Sequence, residues 1–207
     1  MREILPGIFH WTTFHEGIGE EVHSCLVTAV DPAVLIDPRE PAEGIEWFRR
    51  HGPPAHAYLT NRHHFRHSER FAEAFGTETW CHRNGLHEFV RGEKVRAFEH
   101  GAVLPGGVEA VKVGALCPEE TALLIPCAGG ILALGDAVTG AGSGLAFVPD
   151  GLMGEGPAVV KRGLKRALER LLKRDFRHLL LAHGEPRVDS GKEDLRRFVE
   201  SLGDLGG

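Results

Sequence analysis

Residues 57–60 form a short apolar run that stops abruptly in Asn61-Arg62-His63-His64-Phe65-Arg66-His67, and from Ser68 to Phe75 the pattern becomes helical. An apolar run this short reads as a buried strand, and Ser68 is a suitable cap for the helix that follows. Three histidines and two arginines therefore share a strand-to-helix loop, where side chains converge on one point. Two later apolar runs end in the same manner, Leu132-Ala133-Leu134-Gly135-Asp136 and Leu179-Leu180-Leu181-Ala182-His183. Strand ends carrying polar groups are where ligands collect in layered folds of helix and sheet.

The rest of the chain repeats this scheme of strands and helices. The pattern predicts helices over residues 42–51, 85–90, 157–174 and 192–202. Strands are expected at 77–82, 95–98, 107–113, 120–126, 130–134 and 179–182. Leu164, Leu168, Leu171 and Leu172 recur at three- and four-residue spacing, as do Leu195, Phe198, Val199 and Leu202, so both helices should lay one face on a sheet. Residues 139–154 are Gly-rich with apolar side chains. They suit either a strand pair with a Pro-Asp-Gly turn or the wall of a pocket for an apolar substrate. Their Gly-x-Gly-x-Gly run does not open a helix after a strand, which argues against a nucleotide cofactor.

In their order and separation these fragments resemble the metallo-β-lactamase superfamily of hydrolases and oxidoreductases, over nearly the whole chain. Residues 5–8, 22–27 and 33–38 are similar to its opening strands, which end in an Asp behind the metal site, here Asp37. The 61–68 loop stands where the family has His-x-His-x-Asp-His. Residues 111–118 stand in place of its Pro-Gly-His-Thr-Pro-Gly, Gly135-Asp136 matches its Gly-Asp, and His183-Gly184 its last histidine. The resemblance implies an α+β fold, a four-layer αββα sandwich formed as one domain over residues 1–207.

The metal-binding motif is degenerate. In one register Arg62, His64, Arg66 and His67 occupy the family's His, His, Asp and His positions. In the other, Asn61, His63, Phe65 and Arg66 do. The first is preferred because Ser68 then opens the helix where the family's does. In either register Leu116 replaces a further ligand. A catalytic zinc needs about three protein ligands and an open position for water. His64, His67, Asp136 and His183 are the expected metal ligands, enough for at most one zinc, iron or manganese ion, or for none. Asp136 is also the candidate catalytic residue. Arg62 and Arg66 keep their charge permanently and cannot bind a cation. They are expected to repel a divalent ion, with Arg66 pairing to Asp136. Together with His23, beside the expected site, they are the candidate substrate contacts. His10, His15, His51, His56, His100 and His178 are expected at the surface or at helix ends.

Composition narrows the partners. With 24 basic and 29 acidic side chains the net charge is −5, and the one basic run, residues 161–166, reads as a solvated helix face, so nucleic acid is not an expected ligand. No stretch approaches the ~20 apolar residues of a membrane span. The first residues lack a basic-then-apolar signal pattern, which makes a cytoplasmic location the expectation. Cys25, Cys81, Cys117 and Cys127 are scattered singly and read as reduced thiols. Three functions follow: a one-metal hydrolase of an ester, thioester or amide; a metal-free, non-catalytic relative binding a small anionic ligand through Arg62 and Arg66; or an interaction subunit. A small-molecule substrate or ligand is the expected partner in the first two.

Overall fold

The computed structural model describes residues 1–154 and 156–205. Seven strands, β1 (Arg2–Leu5), β2 (Ile8–His15), β3 (Glu20–Val27), β4 (Val34–Ile36), β5 (His56–Tyr58), β6 (Glu78–His82) and β7 (Val95–Phe98), form one sheet in chain order. The first four are antiparallel neighbours and β4 to β7 run parallel. The second sheet contains β8 (Val103–Leu104), β9 (Val108–Lys112), β10 (Thr121–Ile125), β11 (Ile131–Leu134) and, beyond the small hairpin β12 (Thr139–Ala141) and β13 (Gly144–Ala146), β14 (His178–Leu181). Its order is β14-β11-β10-β9-β8, and β11 and β14 are parallel.

Alternation along the strands sorts side chains into three apolar layers. Val34 and Ile36 of β4, Leu123 and Ile125 of β10 and Leu180 of β14 meet between the sheets. On the outer face of the first sheet, Leu35 and Ala57 pack against Phe48 of α1 (Trp47–His51) and Phe71 of α2 (Ser68–Phe75). On the outer face of the second, Leu132, Leu134 and Leu179 pack against Leu164, Leu168 and Leu171 of α3 (Pro157–Leu171) and Leu195 and Val199 of α4 (Gly191–Ser201). The architecture is the αββα sandwich. Strands such as β4 and β11 are buried on both faces, which is why they appear in sequence as unbroken apolar runs.

Several boundaries differ from expectation for local reasons. The helix expected over 42–51 shrinks to Trp47–His51, because Gly44 sits at φ 76° and breaks the earlier turn. The short helix near 85–90 is a 3-10 helix, Arg83–Glu88. In residues 139–154 the strand pair exists, but it turns at 142–143, and the Pro-Asp-Gly segment instead opens a 3-10 helix, Asp150–Leu152. His10 and His178, expected at the surface, are 3% and 2% exposed. No described helix is long and apolar enough to cross a membrane.

Candidate metal centre

Parallel pairing sets the site. In a parallel pair both strands end at the same edge, so β4 with β5 and β11 with β14 deliver four C-terminal ends to one side of the sandwich. Asp37 follows β4, residues 59–61 follow β5, Asp136 follows β11 and His183 follows β14. The two loops meet so tightly at Gly135 that a Cβ there would lie 2.6 Å from Thr60 Oγ1. Only glycine allows that approach.

His64, Asp136 and His183 come together, their donor atoms all within 4.8 Å of one another. His64 Nε2 lies 3.3 Å and His183 Nε2 3.2 Å from the same oxygen, Asp136 Oδ1. Charge-assisted hydrogen bonds to carboxylates are usually ~2.7–2.9 Å. For metal–ligand bonds of ~2.0–2.1 Å, the ligand atoms of a tetrahedral zinc stand about 3.3 Å apart. Both separations exceed such bonds and match the spacing of two ligand atoms about one ion, while still letting either ring share a proton with the carboxylate. His183 and Asp136 keep 16% and 22% of their side-chain surface exposed, which leaves an approach open.

Behind His64 stands Asp37, buried to 1% exposure. Its Oδ1 accepts from the Thr60 amide (2.8 Å), and its Oδ2 accepts from Thr60 Oγ1 (2.6 Å) and from His64 Nδ1 (3.0 Å). That acceptor keeps a proton on Nδ1 and leaves Nε2 as the ligand nitrogen, the usual arrangement behind a metal-bound histidine. The other oxygen of Asp136, Oδ2, accepts from Asn61 Nδ2 at 2.8 Å. Asp136 can therefore offer a metal one oxygen.

Neither loop register holds as a continuous frame. Asn61 caps the 3-10 helix Arg62–Phe65, accepting from the His63 amide at 2.9 Å, and residues three apart in such a helix lie on one side. Asn61 and His64 thus both reach Asp136, while His63 is exposed. His67 lies apart from the three donors: its Nδ1 accepts from the Glu40 amide at 3.1 Å. His23 is not a wall of open space. Its ring is buried against His10 Nε2 (2.9 Å) and Thr12 Oγ1 (3.3 Å), and burial lowers its pKa to about 4.

The expected ion pair of Arg66 with Asp136 is corrected by the structure. The Arg66 guanidinium bonds backbone carbonyls, and Arg62 pairs with the buried carboxylate of Glu119 and, at 3.7 Å, with Glu88. Both arginines are engaged inside the protein and present no free fork to a ligand. The Gly-rich segment, read as a strand pair or a pocket wall, forms the strand pair and backs His183, whose carbonyl accepts from the Gly140 amide at 2.7 Å. Two surface cavities, of about 330 and 650 Å³, are lined by other residues.

Burial disfavours the charge of His64, yet Asp37 and Asp136 outweigh it and raise its pKa to about 9. Burial also opposes ionisation of Asp136, but the charge of His64 and bonds with His183 and His64 hold its carboxyl far below the usual range. One acidic group had no signal in the sequence. Glu120 is fully buried, neither oxygen has a hydrogen bond of good geometry among the described residues, and burial together with Asp136 raises its pKa to about 8, offset only partly by the Ala137 amide.

These shifts fix how the metal-free protein responds to pH. Both groups bind a proton more tightly when folded. The stability from His64 is complete below its unfolded value near 6.5 and is lost as pH rises through about 9. That from Glu120 is complete below about 4.5 and is lost as pH rises through about 8. Below pH 6.5 His10, His23 and His100, lowered by burial to about 4, work the other way, so metal-free protein should melt progressively lower from about pH 6.5 to 9. Glu120→Gln removes the second loss and should raise the melting temperature at pH 8 by roughly 5 °C or more, with little change at pH 5. Equal melting curves for variant and wild type at pH 8 would show that Glu120 is not buried as described.

The chain has the metallo-β-lactamase fold. It is similar to DIM-1 metallo-β-lactamase, with 16% identity, a TM-score of 0.71, and 97% of this chain and 96% of that one covered. The protein TTHA1623, solved in a di-iron-bound form, shows 20% identity and a TM-score of 0.68 over 91% of this chain and 99% of that one. The metallo-β-lactamase family protein TTHA1429 from Thermus thermophilus shows 16% identity and a TM-score of 0.68 over 97% of this chain and 80% of that one. No protein-family model matches this chain, and no curated protein matches it in sequence.

Proposed function

We propose that this protein is a hydrolase that uses one divalent metal, held by His64 Nε2, Asp136 Oδ1 and His183 Nε2, and acts on an ester, thioester or amide. The observation that carries this reading is the 3.2 and 3.3 Å spacing of the two imidazole nitrogens about one carboxylate oxygen. When bound at such a site, a zinc, iron or manganese ion supplies an acidified water near neutral pH and polarises a carbonyl. The chain's own residues do the rest. Asp37 orients His64 and keeps the proton on Nδ1, and Asn61 holds Asp136 to one donor oxygen. His64 must give up its second proton to ligate, so metal affinity should rise as pH climbs toward 9.

Substrate preference follows from what the site lacks. Arg62 and Arg66 are engaged elsewhere, so neither of them meets an anionic substrate or the leaving nitrogen of an amide. Esters and thioesters, which have better leaving groups, should turn over best. The test uses protein purified without a histidine tag, stripped with a chelator and reloaded with zinc, manganese or iron(II). Metal-dependent hydrolysis of activated aryl esters or thioesters is expected, with negligible opening of β-lactams. Failure of every metal to confer hydrolysis on esters, thioesters and amides would end this reading.

A further inference from the structure

We propose that the buried guanidinium of Arg66 is a built-in cation of this centre, standing permanently in place of a second metal ion and limiting the site to one. This inference rests on the metal reading above. Arg66 leaves the 3-10 helix at φ 46°. Its Nη1 donates to the carbonyls of His23 (2.7 Å) and Asp37 (2.8 Å), and its Nη2 lies 3.5 Å from that of Ala182. These carbonyls belong to β3 and to the ends of β4 and β14, so one side chain joins both sheets directly behind Asp37 and His183.

Among the described residues no carboxylate lies within ion-pair distance of this guanidinium. Its contacts are neutral, and what balances its charge at longer range is Asp37 and Asp136. A guanidinium does not deprotonate in proteins, so the positive charge is fixed. With His64 neutral as a ligand and the buried Glu120 protonated, the two aspartates bring two negative charges and Arg66 one positive. One divalent ion then leaves the centre with a single positive charge, easily offset by an anion from solvent. A second would add two more in a largely buried place, which is costly.

The variants Arg66→Gln, Arg66→Met and Arg66→Lys separate charge from bonding. Gln keeps donors for the carbonyls without the charge, whereas Lys keeps the charge. Each is titrated with zinc chloride by equilibrium dialysis and metal quantification, after circular dichroism confirms the fold. Wild type should take up one zinc per chain and no more at tenfold excess. The Gln variant should bind zinc at least tenfold more tightly, and the Lys variant within about threefold of wild type, by the Coulomb scale for nearby charges at partial burial. A purely structural role would weaken zinc binding in all three.

Two zinc ions on the wild type, or a Gln variant that binds no more tightly than wild type, overturns the inference. If no variant folds, wild-type stoichiometry at excess zinc decides alone. Zinc on the Gln variant but not on wild type would sink the one-metal hydrolase and uphold the arginine as the cation of the site. Zinc on neither would sink both.

Discussion

Asp136→Ala is expected to lose its metal and leave the fold largely intact. Asp136 Oδ1 is the atom on which both imidazoles converge, so the substitution leaves two ligands where three stood. Structural zinc sites with four ligands bind with apparent free energies of ~10–16 kcal/mol, so each ligand is worth roughly 2.5–4 kcal/mol. Zinc affinity should fall by about 70- to 900-fold, and metal-dependent hydrolysis should vanish with it. The side chain is 22% exposed, and water can replace part of its bonding to Asn61 and His64. His64 and His183 nevertheless hold its carboxyl far below the usual range, so the metal-free variant should melt somewhat below metal-free wild type, though by less than the loss of an enclosed carboxylate would cost. Zinc titration and thermal melts of the same samples check both halves. Undiminished zinc affinity would remove Asp136 from the site.

Asp37→Ala should do the opposite and strike stability first. Asp37 accepts three hydrogen bonds in a fully enclosed position, and it is the carboxylate nearest the charges of His64 and Arg66. Burial opposes its ionisation, but His64, Arg66 and Thr60 outweigh that and hold its carboxyl below the usual range. Removing it leaves the Thr60 donors unsatisfied and two buried cations short of a counter-charge, at a cost of about 3–5 kcal/mol. For a chain of this size the melting temperature should drop by roughly 10 °C. Zinc affinity should also fall by about 10–100-fold, as when the acceptor behind a ligating histidine is lost. A variant that melts with the wild type would mean that the carboxylate is solvated rather than enclosed.

Much of the frame was legible because burial writes itself into composition. β4, β5, β11 and β14 lie under both layers of apolar side chains, so each is a short apolar run. A charged or ring-nitrogen side chain placed directly after such a run has to sit at the sheet edge, and Asp136 and His183 stood out for that reason, whereas Asp37 stood out only through the family resemblance. His64 was visible as well, but the loop register was not. Spacing assumes a uniform backbone, whereas this loop makes a 3-10 turn with non-helical φ and ψ at His64 and a positive φ at Arg66. That geometry brings Asn61 and His64 onto one side and swings His67 toward Glu40.

The arginines were harder for a different reason. Their partners are distant in sequence: Glu119 for Arg62, and the carbonyls of His23, Asp37 and Ala182 for Arg66. Nothing local marks such contacts. The expectation that Arg66 would pair with Asp136 failed because the backbone carbonyls of His23 and Asp37 take its guanidinium at 2.7 and 2.8 Å. Glu120 illustrates the same limit, since an acidic residue opening a strand usually faces water and this one faces Asp136.

The proposed centre holds one metal ion on two imidazoles and one carboxylate oxygen. X-ray absorption at the zinc edge, on tag-free protein loaded with zinc and dialysed, tests it most directly. One zinc per chain is expected, with two histidine nitrogens and a carboxylate oxygen at ~2.0–2.1 Å, and the loss of that signal in Asp136→Ala. Zinc held at two ions per chain, a coordination shell without histidine, or no zinc retained above background would contradict it.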